Sequence, residues 1–290
     1  MKIAIAAASG NVGSRIVQVL NQKDVELVLL GRNVEKLKKL GAPQSGITAT
    51  DIGRPEQVIA ATKNVDALFW MVPPLMSVPS LKQWYQQVTK AGIAAVKENK
   101  IKKVVLLSSL GAGPAKNQGV ISFCGEMEYE FFKLDCDILA LRPGYFLENI
   151  TSMNESIVEK GIISACYPPG HDIPFISTDD IGNVAAQYLA DLTWHGHWQR
   201  NLMGPENITF TQVCERIGNI LGKEISYEHV SIEKMLDLFA KYGACDTVQK
   251  ELRDLGIAIG DPDGVYACPR TYESFTSTTL ETVIRKKLLS

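Results

Sequence analysis

The stretch Met1–Gly13, MKIAIAAASGNVG, decides the fold of this 290-residue chain. Lys2–Ala6 is mostly apolar and has the length of a buried strand. A turn of small residues, Ala7–Gly10, follows it, and an apolar periodicity typical of a helix starts at Val12. The sequence therefore predicts a strand, a tight turn and a helix at the beginning of the chain.

The predicted turn has the spacing of a glycine fingerprint, Ala7-x-x-Gly10-x-x-Gly13, with alanine in place of the first glycine. Gly10 would let the backbone approach a pyrophosphate, and Gly13 would allow tight contact between helix and strand. The unpaired N–H groups at the start of the helix would face the negative charge. The motif favours a dinucleotide site, and an ordinary strand–turn–helix built from small residues is the alternative.

Short apolar runs alternate with helical periodicity through the first half of the chain. The predicted strands are Lys2–Ala6, Glu26–Leu30, Ile47–Thr50, Ala67–Val72, Lys103–Leu107 and Ile138–Leu141. The predicted helices are Val12–Gln22, Val34–Leu40, Pro55–Thr62, Leu81–Glu98 and Ile121–Lys133. Apolar strands separated by helices are typical of a parallel sheet covered on both faces. We therefore expect an α/β fold with a doubly wound parallel Rossmann sheet and ligands at the carboxyl ends of the strands.

The alternation weakens after about Asn149, which predicts a smaller, mostly helical C-terminal domain. Residues 1–150 would form the nucleotide-binding Rossmann domain, with 172–205 returning to it, and 151–171 and 206–290 would form a smaller domain for a substrate or partner. The returning segment contains a predicted helix, Asp179–Leu192. The smaller domain contains a predicted strand, Ile225–Val230, and the predicted helices Thr209–Leu221, Ile232–Tyr242, Thr247–Asp254 and Thr278–Leu288. Gly256–Pro269 carries three glycines and two prolines, so we expect a surface loop.

Composition excludes several classes of protein. The formal net charge of -2 provides no basic field for nucleic acid, and no apolar run reaches the roughly 18 residues of a membrane span. The N-terminal apolar run is too short for a signal-peptide core. Six scattered cysteines without a CxxC predict free thiols in a reducing cytoplasm and no metal site. The oligomeric state stays open.

Gly31-Arg32-Asn33 ends the second predicted strand, where an NAD-preferring site would place an Asp or Glu on the ribose 2′-hydroxyl. Arg32 can instead bind a 2′-phosphate, and the missing carboxylate removes a repulsion. Lys36, one turn into the next helix, would add a second positive charge. We therefore expect NADP(H) to be preferred over NAD(H), unless both cations are only solvated charges at a helix start.

Several longer motifs follow one another in a recognisable order. They are ASGNVG, GRNVEKL, TATDIGRPEQV, VDALFWMVPP, KKVVLLSSLGA, LALRPGYFLEN, ISTDDIGNVAA and GPENITFTQVCERIGNILGKEISY. In this order and spacing the chain resembles the NmrA-like branch of the atypical short-chain dehydrogenases/reductases. The resemblance covers the chain from its N-terminus to about Val230.

The resemblance implies a set of residues around an NADP(H) cofactor. They are Ser9, Gly10, Asn11 and Val12 at the pyrophosphate, Arg32 at the 2′-phosphate, Asp51 and Ile52 against the adenine, Val72 and Pro73 after the fourth strand, Ser108 and Ser109 near the nicotinamide ribose, and Pro143, Gly144 and Tyr145 along the nicotinamide. Asp51 has an alternative role as a helix cap or turn residue. The two serines would otherwise hydrogen-bond their own backbone.

The chain departs from the short-chain reductases at their Tyr-x-x-x-Lys pair. Counting back from Arg142-Pro143-Gly144 puts the tyrosine position near Val120 and the lysine position near Cys124, and neither residue can replace its counterpart. Tyr129 and Lys133 form such a string later in the same helix. They and Ser109 are the weak catalytic candidates, and the catalytic residues stay unknown.

Two functions are compatible with this sequence. One is an NADPH-dependent reductase of a small, flat electrophile such as a quinone, with a cleft between the domains that touches Gly144, is closed by the 256–269 segment and has Trp84 and Tyr85 on its opposite wall. The other is a sensor that reports the NADPH/NADP ratio to a regulatory protein partner. The missing Tyr/Lys pair favours the sensor, and the aromatic second domain favours the enzyme.

Overall fold

The computed structural model describes residues 1–41, 46–115, 117–191 and 193–289. Its strands are β1 (Lys2–Ala6), β2 (Glu26–Gly31), β3 (Ile47–Ala49), β4 (Ala67–Trp70), β5 (Lys103–Leu107), β6 (Asp137–Pro143), β7 (Tyr145–Phe146), β8 (Ile162–Ala165), β9 (Ile173–Ile176), β10 (His197–Leu202), β11 (Asn207–Ile208) and β12 (Ser226–His229). Its α-helices are α1 (Asn11–Leu20), α2 (Val34–Lys38), α3 (Pro55–Ala61), α4 (Leu81–Asn99), α5 (Val120–Phe131), α6 (Leu147–Thr151), α7 (Thr178–Ala190), α8 (Phe210–Leu221), α9 (Ile232–Lys241), α10 (Asp246–Gly260) and α11 (Leu280–Leu288).

A seven-stranded parallel sheet forms the centre of the described structure, in the order β10-β6-β5-β4-β1-β2-β3. The chain runs outward from β1 to β3, returns to place β4 beside β1, and then runs outward on the other side. The strand order therefore reverses between β1 and β4, and a ligand crevice is expected above their carboxyl ends.

Helices cover both faces of this sheet. Val58 of α3, Val88 of α4 and Met127 of α5 belong to the apolar core on one face. Ile16 of α1 and Ile181 of α7 belong to the core on the other face. The predicted doubly wound Rossmann fold is confirmed, and the central strands β1, β4 and β5 are buried because both of their faces meet a helix layer.

The segment after α6 divides between two places. Helix α7 packs on α1, and β10 extends the large sheet beside β6. The remaining strands form a three-stranded sheet, β11-β9-β7, and a pair, β12-β8, around a third apolar core that also contains residues of α8 and α11. The helical C-terminal region is therefore present, while the domain division at 151–171 and 206–290 stays a prediction. Leu192, the predicted end of the Asp179 helix, lies outside the described residues.

The expected surface loop Gly256–Pro269 is wrong in two respects. Helix α10 continues through Gly260, so the first third of the segment is helical. Val265 and Tyr266 are buried in the third core, and a Cβ on Gly111 would lie 2.6 Å from the Val265 Cβ. The number of glycines and prolines predicted an exposed segment. The apolar side chains between them are nevertheless buried, because removing their surface from water is favourable. No helix of the described ranges is long and apolar enough to cross a membrane.

Candidate functional site

The turn between β1 and α1 is built as a phosphate-binding turn even though it lacks the first glycine. Ala7 takes the left-handed backbone conformation with φ 51, and its carbonyl accepts a hydrogen bond from the Gly10 N–H at 2.9 Å. A Cβ at Gly13 would lie 2.5 Å from the Ala7 oxygen, so this position accepts only glycine without rearrangement. No side chain caps the N-terminus of α1, which leaves its first N–H groups available to an anion.

A cavity of about 230 Å³ opens beside this turn at the carboxyl ends of β1 to β4. Its lining residues are Ala7, Ser9, Gly10, Gly31, Arg32, Thr50, Asp51, Ile52, Pro73, Pro74, Leu75 and Trp84. Arg32 is exposed at its rim and makes no hydrogen bond or ion pair within the described residues. The structure thus brings together six of the predicted cofactor residues, Ser9, Gly10, Arg32, Asp51, Ile52 and Pro73.

Four other predicted cofactor residues lie near the cavity without lining it. Val12 and Val72 are buried, and Asn11 and Lys36 are exposed in the first turns of α1 and α2. The backbone N–H of Lys36 donates to the Asn33 side chain, which caps α2. A role for Lys36 at a 2′-phosphate stays a prediction.

Asp51 serves as a turn residue at the cavity wall. Its carboxylate accepts the Gly53 N–H at 3.0 Å and lies 3.6 Å from the Arg54 guanidinium. The indole N–H of Trp84 donates to the Pro73 carbonyl at 2.9 Å, so Trp84 fixes the loop after β4 and forms the opposite wall. Thr50 and Pro74 also line the cavity and lie in the motifs TATDIGRPEQV and VDALFWMVPP without a role predicted for them, and Leu75 lines it from outside the motifs.

At the end of β5 the structure places a buried hydroxyl without a partner. The backbone N–H of Ser108 donates to the Leu141 carbonyl at 2.8 Å, but its Oγ makes no hydrogen bond to any described atom. The hydroxyl of Ser109 donates to the Leu110 carbonyl at 3.3 Å, which is the self-bonding alternative. Cys124 lies beside Ser108 and Tyr85, and burial raises the pKa of its thiol to about 12.

The β6 end continues into the C-terminal core. The Pro143 carbonyl accepts the Leu110 N–H at 2.8 Å, and a Cβ on Gly144 would lie 2.1 Å from the Pro174 oxygen. Tyr145 meets the Tyr167 ring edge-on at 5.8 Å. Neither Gly144 nor Tyr145 lines the cavity beside the first turn or the larger cavity described below. The predicted cleft at Gly144 stays a prediction.

These features fit a dinucleotide. Glycine at position 13 lets α1 begin close against the Ala7 and Ala8 backbone, Arg32 offers a guanidinium without a partner in the described structure, and the Ser108 hydroxyl lacks a hydrogen-bond partner there. A bound NADP(H) would use all three, with its pyrophosphate at α1, its 2′-phosphate at Arg32 and its nicotinamide ribose toward Ser108.

The sequence pattern of the NAD(P)H-binding family matches residues 7–191, which is more than half of the chain. The chain belongs to this family. The family's match begins at Ala7, the first residue of the phosphate-binding turn, and ends just after α7. The expected resemblance to NmrA-like proteins is confirmed, and binding of NAD(P)H follows from the family, whereas the preference between the two cofactors does not.

Three proteins are similar to this member of the NAD(P)H-binding family over most of its length. An NAD(P)H azoreductase of Xenophilus azovorans is 24% identical over 261 residues, which cover 90% of this chain and 88% of that protein. An NADPH-dependent quinone oxidoreductase of Escherichia coli, solved with NADPH, superposes with a TM-score of 0.76 at 21% identity over 98% of this chain and 99% of that one. NmrA, a negative transcriptional regulator solved with NADP, superposes with a TM-score of 0.71 at 15% identity, over 98% of this chain and 90% of that one.

The Tyr129–Lys133 string of this family member lies on the outer side of α5. Tyr129 is 66% exposed, and the Lys133 ammonium lies 4.1 Å from the centre of its ring while it pairs with Glu130. This arrangement is that of a surface cation–aromatic contact. A catalytic role for the two residues stays a prediction without a supporting contact.

A larger cavity of about 1030 Å³ lies between the outer face of α5, residues 112–115 and 117–119, and α10. Its floor holds the Glu128 carboxylate, which accepts from the Arg142 Nε at 2.9 Å and from the Gln199 amide at 3.3 Å. The buried Glu128 carboxylate is therefore held in an ion pair with Arg142.

The histidines of the WHGHW segment are structural in the described chain. The His195 Nδ1 lies 3.2 Å from the Asp137 carboxylate, and the His197 ring stacks on Phe132 with centroids 5.2 Å apart. Among the described residues, no three His, Cys, Asp or Glu side chains gather as a metal site would require. His171 is buried, and its Nε2 hydrogen-bonds the Ile259 carbonyl at 2.8 Å.

Proposed function

We propose that this protein is an NADPH-dependent reductase of a small, flat electrophile such as a quinone. The observation that carries the proposal is the cavity that joins the turn at Ser9 and Gly10 to an Arg32 without a partner in the described structure. Its rim holds a cation and no neighbouring carboxylate other than the turn residue Asp51, which favours a 2′-phosphate.

The surroundings of Ser108 favour a flat, apolar substrate. Cys124, Tyr85 and Phe123 belong to the same apolar core as Val248 and Leu252 of α10, and the Tyr85 and Phe123 rings lie 5.8 Å apart. When bound, NADPH supplies the hydride. The chain would orient the acceptor, and the Ser109 hydroxyl or a water molecule would supply the proton.

The names of similar proteins support a reductase. Both an azoreductase and a quinone oxidoreductase cover nearly the whole chain, and both act with NAD(P)H by their names. These names belong to those proteins, and they guide the choice of acceptors for this one.

The sensor is the second candidate, and two observations favour it. Counting along the sequence from Arg142 puts the Tyr/Lys positions near Val120 and Cys124, and the regulator NmrA shares the fold. In that case the NADPH/NADP ratio would be read by a protein partner.

The decisive experiment measures NADPH oxidation with quinones, aldehydes and azo dyes as acceptors, beside a direct titration of the cofactor. We expect NADPH to bind and a quinone to be reduced. Tight NADPH binding with no oxidation by any acceptor would contradict the reductase and leave the sensor.

A further inference from the structure

The larger cavity, between α5 and α10, is separate from the cofactor site. It shares no lining residue with the cavity beside the first turn. Its volume of about 1030 Å³ lies at the upper end of the range for small-molecule pockets, roughly 300–1,000 Å³. The cavity therefore has room for an organic ligand of its own.

The floor of this cavity presents unused hydrogen-bond donors. Glu128 and Arg142 form an ion pair there, with 3% of the Glu128 side chain and 16% of the Arg142 side chain exposed. Arg142 donates through Nε and Nη2 to the two Glu128 oxygens, and the Gln199 amide donates to the same carboxylate. The third guanidinium nitrogen, Nη1, carries two N–H groups and makes no hydrogen bond to any described atom. Arg142 thus has donors left for a ligand, whereas both Glu128 oxygens are occupied.

This ion pair selects an uncharged ligand. A carboxylate placed on the remaining Arg142 donors would also face the Glu128 carboxylate, and a ligand cation would face the guanidinium. A carbonyl oxygen accepts from the guanidinium and brings no charge of its own. Because the donor is ionised, that hydrogen bond is stronger than one between two neutral groups.

The charges at the rim of the cavity are largely balanced. The Lys82 ammonium lies 3.0 Å from the Glu126 carboxylate. The Glu251 carboxylate is bonded to the first backbone N–H of α4, at the positive end of that helix. The other two charged residues of the described rim, Lys250 and Asp254, have opposite signs and lie one turn apart on α10. The rim therefore adds no strong field that would favour an ion over a neutral ligand.

Aromatic rings form one wall of the cavity. Phe123, Tyr129 and Phe132 line it from α5 and the C-terminal end of that helix. The Phe132 ring stacks on His197 with centroids 5.2 Å apart, and the Phe123 ring packs on Tyr85 at 5.8 Å. Rings held in this way offer fixed surfaces to another aromatic ring. The wall therefore favours a flat aromatic body above the polar floor.

We infer that this cavity is a binding site for an uncharged, flat aromatic ketone or quinone whose carbonyl oxygen accepts from Arg142. Binding there requires neither the cofactor nor a reduction. The ligand class is that of the proposed acceptors, so the inference rests on the proposed function only for the use that the protein makes of the ligand.

Two probes of nearly the same shape isolate the contribution of the carbonyl group. 1-Indanone is a benzene ring fused to a cyclic ketone, and indane is the same bicycle without the oxygen. We expect 1-indanone to bind the cofactor-free protein about tenfold more tightly than indane, the effect of one hydrogen bond to a charged group. Amide chemical shifts in an NMR titration give both Kd values, and the largest shifts should fall at Gly113, Gly119 and Ser122.

Two variants test the floor of the cavity. Arg142→Lys keeps the charge beside Glu128 but loses the planar fork of donors, so it should weaken 1-indanone to the level of indane and leave indane unchanged. Gln199 is exposed and its amide lies 3.3 Å from the Glu128 carboxylate, so an indole at this position would cover the floor. Gln199→Trp should therefore weaken both probes about tenfold or more. Gln187→Trp, at an exposed position of α7 that lines neither cavity, is the matched control and should change neither Kd.

The inference is overturned if the two probes bind equally, if their largest shifts fall around Gly10 and Arg32, or if Gln199→Trp leaves both Kd values unchanged. None of these outcomes requires Arg142→Lys to fold. Gln199→Trp should also leave the Kd for NADPH within about twofold, because the two cavities share no lining residue. Binding of 1-indanone in this cavity without reduction of any acceptor by NADPH would overturn the reductase alone.

Discussion

Ala7 holds a backbone conformation that alanine disfavours. Its φ of 51 places it in the left-handed region, where a Cβ costs about 1–2 kcal/mol. Glycine removes this cost but loses more entropy on folding, about 0.5–1 kcal/mol. We therefore expect Ala7→Gly to raise the free energy of unfolding by about 0.5–1 kcal/mol, measured by urea denaturation.

A neighbouring alanine is the control for that substitution. Ala8 is buried and does not have a positive φ, so Ala8→Gly should lower the free energy of unfolding. A loss of stability in both variants would show that the turn does not strain Ala7.

Arg32 is the residue that should separate NADPH from NADH. Its guanidinium lines the cavity without a partner in the described structure, so Arg32→Glu removes a phosphate ligand and adds a repulsion. We expect the Kd for NADPH to rise about ten- to hundredfold, the equivalent of 1.5–3 kcal/mol, with little change for NADH. Fluorescence titration with both cofactors measures this.

Lys39→Glu makes the same change of charge beyond the end of α2, at a residue that does not line the cavity. It should leave the Kd for NADPH within about twofold. Equal affinity of the parent for NADPH and NADH would contradict the cofactor preference.

The buried Lys103 ties the beginnings of β5 and β6 together. Its ammonium bonds the Asp137 carboxylate at 2.8 Å, and that carboxylate also accepts the Gly196 N–H and contacts His195. Burial acts to raise the pKa of Asp137, but the hydrogen bonds and the Lys103 charge outweigh it and lower the pKa to about 2. A depressed carboxyl pKa contributes stability above its unfolded value near 3.8, and this contribution is lost as pH falls toward 2.

Asp137→Asn should therefore lower the free energy of unfolding by about 2 kcal/mol at pH 7, less than for a fully buried pair because Asp137 is partly exposed. The difference from the parent should stay constant between pH 7 and about 5 and then narrow at pH 4 and 3. Urea denaturation at these pH values measures the difference in the free energy of unfolding. A difference that stays the same down to pH 3 would contradict the lowered pKa of Asp137.

The centre of the large sheet was predictable because β1, β2, β4, β5 and β6 are buried over most of their length. Each apolar run, such as Lys103–Leu107, is a strand in the structure with bounds that differ by a residue or two at most places. The carboxyl ends of these strands then placed Gly10, Arg32 and Pro73 around one cavity. Parallel strand ends meet at one edge of a sheet, so local patterns were sufficient there.

Contacts between distant segments were not predictable from local patterns. The Glu251 carboxylate of α10 accepts from the Ser80 hydroxyl at 2.7 Å and the Leu81 N–H at 2.7 Å, which caps a helix 170 residues earlier. The burial of Val265 against Gly111 is likewise a contact between segments that are far apart in the sequence. Glycine and proline content describes the backbone of a segment and carries no information about which core receives its side chains.

The segment after α9 covers the end of the crevice where Ser108 lies. The Glu251 side chain of α10 hydrogen-bonds the start of α4. The backbone of α10 packs against Gly119, where a Cβ would lie 2.3 Å from the Glu251 carbonyl oxygen. Val265 then contacts Gly111, three residues after Ser108. A substrate that reached the nicotinamide would have to pass beside this cover, so we propose that the 256–269 segment acts as its lid.

Hydrogen exchange with and without NADPH tests this lid. We expect amides of 256–269 to exchange about tenfold or more slowly when NADPH is bound, because the cofactor stabilises the closed arrangement by mass action. Amides of α11, which packs on α6 and α8 away from the crevice, serve as the control and should change far less. If the amides of 256–269 exchange at the same rate with and without NADPH although NADPH binds tightly, the segment is not a lid. Its surface would then be available to a protein partner, as the sensor hypothesis requires.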